Sequence, residues 1–132
     1  MSTFINTNAF DYINVLDKAA DAAWLRNEVI ANNIANVDTP GYKRQDVNFE
    51  DALNQALKWT HMSDLDNQVH NVSMNRLKVS TYTDAVGYAY RVDGNNVDID
   101  TENAELASNQ IKYEGIANSI LSEFKNIQAV LK

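Results

Sequence analysis

His61 and His70 are the only imidazoles in the sequence, and both fall in the polar stretch THMSDLDNQVHNVSMNRLK. A helical metal pair needs i, i+4 spacing, which these two lack, so they read as ordinary surface histidines. The acidic run DGNNVDID invites a calcium reading. With Asp93 as first ligand, however, Val97 falls on a ligand position, Asp98 where the loop needs glycine, and Ala104 where it needs a bidentate glutamate. That match fails. No GxGxxG, P-loop or GxSxG pattern is present, so neither a phosphate cradle nor a nucleophile elbow is supported. The sequence has no cysteine, which removes disulfides and thiolate metal sites. Asn71-Val72-Ser73 is a formal glycosylation sequon, a short pattern with many chance matches. The reading is of a chain with no catalytic residues, no metal site and no cofactor.

Charge narrows the partners further. Eleven basic residues against 18 acidic ones give a net charge of −7. Phosphate recognition needs clustered Lys and Arg, and Lys43-Arg44 is the one basic pair, so nucleic acid is not expected as a partner. No apolar run approaches the roughly 18 residues of a membrane span. The start, MSTFINTNAF, lacks a basic segment followed by an apolar one. A chain that leaves the cytosol would therefore do so without a cleaved signal.

With chemistry set aside, the elements carry the information. The length of 132 residues suits one domain. Ile13, Leu16, Ala20, Ala23, Asn27, Ile30, Ile34 and Val37 follow a 3-4 spacing that is apolar but for Asn27, a heptad seam rather than a strand. The same rhythm returns in Leu106, Gln110, Tyr113, Ala117, Ile120, Phe124, Ile127 and Leu131, with Gln110 as its polar member. A buried amide in such a seam can fix register and partner, or be an imperfect core position. The spacing predicts a mainly α fold in which long N- and C-terminal helices pair as an antiparallel coiled coil. Residues 1–39 carry the first heptad helix, and 101–132 the second, in one domain. Residues 40–100 between them hold a turn, a short helix, a flexible loop and a candidate β-hairpin.

The boundaries have physical causes. Thr39 precedes proline and is pushed to extended angles. Pro40-Gly41 suits the centre of a type II turn. Asp100 is read as the cap of the second helix, with Glu102 and Glu105 favourable near its positive end. In NFEDALNQALKW, Phe49, Leu53, Ala56 and Leu57 give a short helical pattern with Asn48 as cap. Residues 60–78 show no sustained period and read as a loop. KVSTYTD and YAYRV alternate weakly as two strands, with a hairpin-type turn signal at Asp93-Gly94.

Apolar residues also lie off the seams: Tyr12, Val15, Trp24, Leu25 and Val29 in the first helix, and Ile116, Leu121 and Val130 in the second. Two paired helices bury one stripe each, so this surplus must meet the middle segment or other copies of the chain. Asparagine is the commonest residue, 18 of 132, although it is a mediocre helix former. Asn32, Asn33 and Asn36 crowd the end of the first helix. They are read as contact amides for the backbone of a turn, in this chain or a neighbour. A fraying terminus would account for Asn36 alone.

The stretch ANNIANVDTPGYKRQDVNF resembles the N-terminal signature of bacterial flagellar rod and hook proteins, through Ala31, Asn33, Ile34, Ala35, Asn36, Thr39, Pro40, Gly41 and Tyr42. VDGNNVDIDTENAELASNQIKYE is similar to the C-terminal signature of the FlgB family of proximal rod proteins, with Val92 where that pattern has leucine. The sister family FlgC is the alternative. Outside the resemblance, a coiled-coil adaptor would share the heptads but has no need of the Asn-rich turn. The resemblance implies a non-enzymatic subunit whose terminal helices pack with neighbours into a hollow, torque-bearing rod in the periplasm, exported unprocessed by the flagellar type III system. It implies as partners further copies of itself, FlgC, the rod-junction protein FliE, and components of the MS ring and export gate. The expected subunit contacts are Trp24, Asn27, Asn32, Asn33, Ile34, Asn36, Thr39, Pro40, Gly41, Tyr42, Tyr113, Ile120, Phe124 and Ile127.

Overall fold

The computed structural model describes residues 8–84 and 91–131. Four helices and two short strands run in the order α1 (Asp11–Ala35), β1 (Gln45–Val47), α2 (Glu50–Lys58), α3 (Leu65–Asn71), β2 (Thr81–Thr83) and α4 (Ile99–Val130). Short 3-10 turns precede α1 and follow α3. The long helices α1 and α4 pair antiparallel, as the heptads predict: Asn33 meets Glu102 near one end, and Ala23 and Asn27 meet Asn109 further along. In α1, Ile13, Ala23 and Ile30 of the expected seam are buried. The helix stops at Ala35, so Val37 lies beyond it in the turn.

The phase of the α4 seam differs from the expected one. Asn109 is buried and Gln110 faces solvent, so the polar member of this seam is Asn109. Leu106, Tyr113, Ile120 and Ile127 belong to either phase and are half-buried, whereas Phe124 and Leu131 are exposed. Hydrogen bonding decides between the two. The Asn109 amide donates to the Ala23 carbonyl at 2.8 Å and to Asn27 Oδ1 at 2.9 Å, partners available only if position 109 points inward.

The middle segment packs on a second side of α1. Ala22 and Val29 of α1 join Val47, Phe49, Ala56 and Leu77 in one core, flanked by Val15, Leu25, Leu53 and Met74. Much of the apolar surplus of α1 is thus satisfied within the chain. Residues 60–78 are not a structureless loop: they contain α3 and a 3-10 turn, and bury Val69 and Leu77. A helix of 7 residues is too short to display a period and gains its stability from what it packs on. Tyr12 donates to Asp66, and His70 pairs with Asp11 at 2.7 Å, tying α3 to the start of α1.

KVSTYTD supplies β2, whose antiparallel partner among the described residues is β1, with Asp46 opposite Tyr82. Most of YAYRV, the strand expected there, lies outside the described residues. The cap of α4 is Asp98, not Asp100: its extended backbone lets Oδ1 accept from the Asp100 amide at 3.1 Å and Oδ2 from the Thr101 hydroxyl at 3.1 Å. Asn48 does not cap α2, because its backbone still belongs to the sheet edge and donates to the Ser80 carbonyl at 3.0 Å.

Candidate assembly surface and the polar lock beneath it

The paired helices present two broad sides. One carries the middle segment, held further by the Lys112–Glu50 ion pair at 2.6 Å between α4 and α2. The other is open. There Trp24 is 62% exposed, its ring centroid 6.4 Å from that of Tyr113. Phe124 is 50% exposed, and Leu121 is exposed beside it. Tyr113, Ile120, Phe124 and Ile127 repeat at 3-4 spacing and so share one stripe of α4. Asn32, Thr39, Pro40 and Gly41 are exposed at the end of α1 and in the turn after it, while Ile34, Asn36 and Tyr42 are half-buried.

Beneath that turn lies a set of hydrogen bonds that fixes its shape. Asn36 closes the helix: its Nδ2 donates to the Asn32 carbonyl at 2.8 Å, and its Oδ1 accepts from the Thr39 hydroxyl at 3.1 Å. The Tyr42 amide donates to the Thr39 carbonyl at 3.2 Å across Pro40-Gly41, with Gly41 at φ 74°, the left-handed value a type II turn requires. Asn33, at 0% exposure, then receives the returning chain. Its Nδ2 donates to the Gln45 carbonyl at 2.8 Å, and its Oδ1 accepts from the Gln45 amide at 2.9 Å and the Tyr42 hydroxyl at 3.1 Å. This side chain pairs with Gln45 as a neighbouring strand would. Of the three clustered asparagines, Asn33 and Asn36 serve this chain's own turn, and Asn32 faces outward.

The second signature completes the lock. Asn95, also at 0% exposure, aims its Nδ2 at the carbonyls of Asn36, Val37 and Thr39, at 2.9, 3.0 and 2.9 Å. Its Oδ1 accepts from the Val97 amide at 2.8 Å. Asn96 accepts from the Arg44 amide at 2.7 Å and donates to the Asp84 carbonyl at 2.7 Å. The Gly41 amide donates to the Asp93 carbonyl at 2.8 Å, Lys43 donates to the Gly94 carbonyl and Arg91 to the Val37 carbonyl. DTPGYKR and VDGNNVD are therefore two halves of one structure.

Charged groups join the lock to α4. Glu102 is buried, and both its oxygens are engaged: Oε1 by Arg44 Nε at 2.6 Å, Oε2 by Asn33 Nδ2 at 3.1 Å. Arg44 also reaches Asp84 at 2.8 Å and Asp46 at 3.4 Å. Arg26 bridges Asp46 at 3.0 Å and Glu105 at 3.1 Å. Burial opposes the charge on Arg44, but the hydrogen bonds it donates to Glu102 and Asp84 outweigh it and raise the guanidinium pKa above its ordinary value. Burial, assisted by the Glu102 charge, raises the Tyr42 phenol, which keeps it a neutral donor to Asn33. Removing one member of such a network leaves a buried charge uncompensated.

Asn95, Asn96, Glu102, Arg44 and Asn109 were not singled out as site residues from the sequence. A signal existed for the asparagines, since two adjacent amides in VDGNNVD exceed what a turn needs. Among the described residues no group of three metal-ligating side chains comes together, and no helix is long and apolar enough to cross a membrane.

Comparison with known proteins identifies relatives of this chain. Residues 13–43 match the family model described as flagella basal body rod protein. The flagellar basal body rod protein FlgB of Bacillus subtilis is 34% identical over 132 residues, covering 99% of this chain and 97% of that one. FlgB of Borrelia hermsii is 36% identical, covering 91% and 95%, and FlgB of Salmonella typhimurium 32% identical, covering 81% and 83%.

Proposed function

The chain belongs to the FlgB family of flagellar basal body rod proteins, and on that premise we propose how it takes its place in the rod. It is a structural subunit of the basal body rod and not an enzyme. The FlgC alternative is not favoured, since the relatives described above are all FlgB proteins.

The open side of the α1–α4 pair is the lateral contact of the subunit. Trp24, Tyr113, Ile120, Phe124 and Ile127 provide its apolar stripe, and Asn32, Ile34, Thr39, Pro40 and Gly41 extend it around the end of α1. Asn27, Asn33, Asn36 and Tyr42 act from beneath, by holding helix and turn in the shape that presents those residues. One observation carries the reading: large apolar side chains stay exposed on one side of the pair while the other side bears the middle segment. Patches of that kind mark protein contacts. The neighbours are copies of this chain, FlgC, FliE, and components of the MS ring and export gate. The site of assembly is the periplasm, reached through the flagellar type III apparatus. Many helices packed side by side then share the load as a hollow, torque-bearing shaft.

Immunodetection in purified basal bodies tests this, with wild type compared against Trp24→Ala and Phe124→Ala. Both variants are expected to be made at normal levels and to be depleted from the basal body. Wild-type protein absent from basal bodies, or both variants incorporated at wild-type level, would refute the reading.

A further inference from the structure

Arg26, Lys43, Arg44, Arg91 and Lys112 are bonded within the chain. Lys58, Arg76 and Lys78 are different: among the described residues they make no ion pair, and all three are exposed on the middle segment. Lys58 precedes Trp59, which is 60% exposed at the end of α2. The Arg76 guanidinium lies 4.5 Å from the centre of that ring, and the His61 ring stands edge-on to it at 6.4 Å. The turn that brings the imidazole there holds His61 at φ 56°, a left-handed value that costs energy in a residue with a side chain. Met62 and Leu65, also exposed, extend the apolar surface. The result is an aromatic patch flanked by positive charge, in a chain whose net charge is −7.

The open side of α1 is the counterpart. Asp17, Asp21, Trp24 and Glu28 recur at i, i+4, i+7 and i+11, so they share one stripe of the helix, and all four are exposed. Among the described residues the three carboxylates make no ion pair. One surface thus carries an indole among carboxylates, and the other an indole among cations. Within one chain the two adjoin: Asp21 and Lys78 border the same surface depression yet make no ion pair. Adjoining surfaces that both face solvent meet only across two molecules. We propose that the acidic stripe around Trp24 of one copy docks on the basic patch around Trp59 of the next. The inference rests on the rod reading above and names the surface that the open side meets. Net charge of one sign keeps copies of a chain apart, whereas this contact turns opposite charges together and guides the approach. Trp and Arg at the centre of a contact carry much of its strength once neighbours exclude water. A contact between two different surfaces is heterologous, the kind that builds rings or open helical arrays, as a rod requires.

Exchange of the charges tests this in cells carrying the chain as their only copy. Basal bodies are purified, and incorporation is measured per chain accumulated in the cell. Lys58→Glu with Lys78→Glu sets carboxylates against carboxylates, and Asp17→Lys with Glu28→Lys sets cations against cations. Each pair of changes should lower incorporation at least about tenfold, since like charges across a contact repel. The chain with all four changes regains both the complement and the parental net charge of −7. It should recover at least about half of parental incorporation. The absence of cysteine permits a second measurement. Glu28→Cys and Lys58→Cys chains are co-expressed, and their basal bodies are treated with a short bis-maleimide. Linked pairs containing one chain of each kind are expected. Normal incorporation of either reversed chain, no recovery in the fourfold variant, or cysteine chains that incorporate and never link to each other would each overturn the inference and leave the rod reading standing. A parent chain missing from the basal body would instead remove the rod reading.

Discussion

Asn95→Ala tests whether the two signature segments form a single lock. The Asn95 Nδ2 carries two protons and faces three carbonyls, so at most two strong donor bonds exist at once. Its Oδ1 adds one bond from the buried Val97 amide. Three bonds at about 1 kcal/mol each give about 3 kcal/mol. The Val97 amide is stranded in the interior, which raises the cost, while the Thr39 carbonyl sits in an exposed turn and regains water, which lowers it. A loss of about 2–4 kcal/mol is therefore expected, a large part of the stability of a typical domain. In a chain of this size it corresponds to a fall in Tm of about 10 °C. Urea and thermal unfolding followed by circular dichroism measure it. Asn95→Asp supplies the control: it keeps the acceptor but turns a carboxylate towards three carbonyls, and Arg91 is already engaged by Val37 and Asp93. The aspartate should be at least as damaging as alanine at neutral pH. A loss below about 1 kcal/mol for alanine, or a milder effect from aspartate, would refute the reasoning.

Three further outcomes follow from local geometry. Gly41→Ala meets no atom within 4 Å, so it should cost only the strain of a left-handed residue at φ 74°, about 1–2 kcal/mol by urea unfolding. Asp98→Ala removes the cap of α4 and should cost about 1 kcal/mol, while Asp100→Ala should cost clearly less. Burial raises the Glu50 carboxyl, but the hydrogen bond and charge of Lys112 outweigh it, so the folded-state pKa lies below the ordinary 4.5. The stability this contributes is present above about pH 4.5 and is lost as pH falls through the lowered value. Unfolding midpoints measured down that range should fall more steeply for wild type than for Lys112→Met.

The long helices, their antiparallel pairing and the Pro40-Gly41 turn were legible because each has a local cause: a heptad period, a proline and a left-handed glycine. The phase of α4 was not. Leu106, Tyr113, Ile120 and Ile127 fit two registers equally, and only the reach of Asn109 to the Ala23 carbonyl separates them. α3 escaped notice because 7 residues cannot show a period, and its packing on α1 is tertiary. Glu102 illustrates the difficulty at the site. Its position near the start of α4 suits the helix dipole, yet in the fold it is a buried partner of Arg44 and Asn33. Asn33 bonds the backbone of Gln45 within its own chain. Asn95, which binds the carbonyls of Asn36, Val37 and Thr39 in the same turn, lies 62 positions further along the chain, and nothing local links it to that turn.

The most direct test of the account is a density map of the intact basal body at side-chain resolution. It is expected to show this chain as α1–α4 pairs standing side by side, with Trp24 and Phe124 covered by a neighbouring subunit. Pairs that meet only through their middle segments, leaving Trp24 and Phe124 bare to solvent, would contradict it.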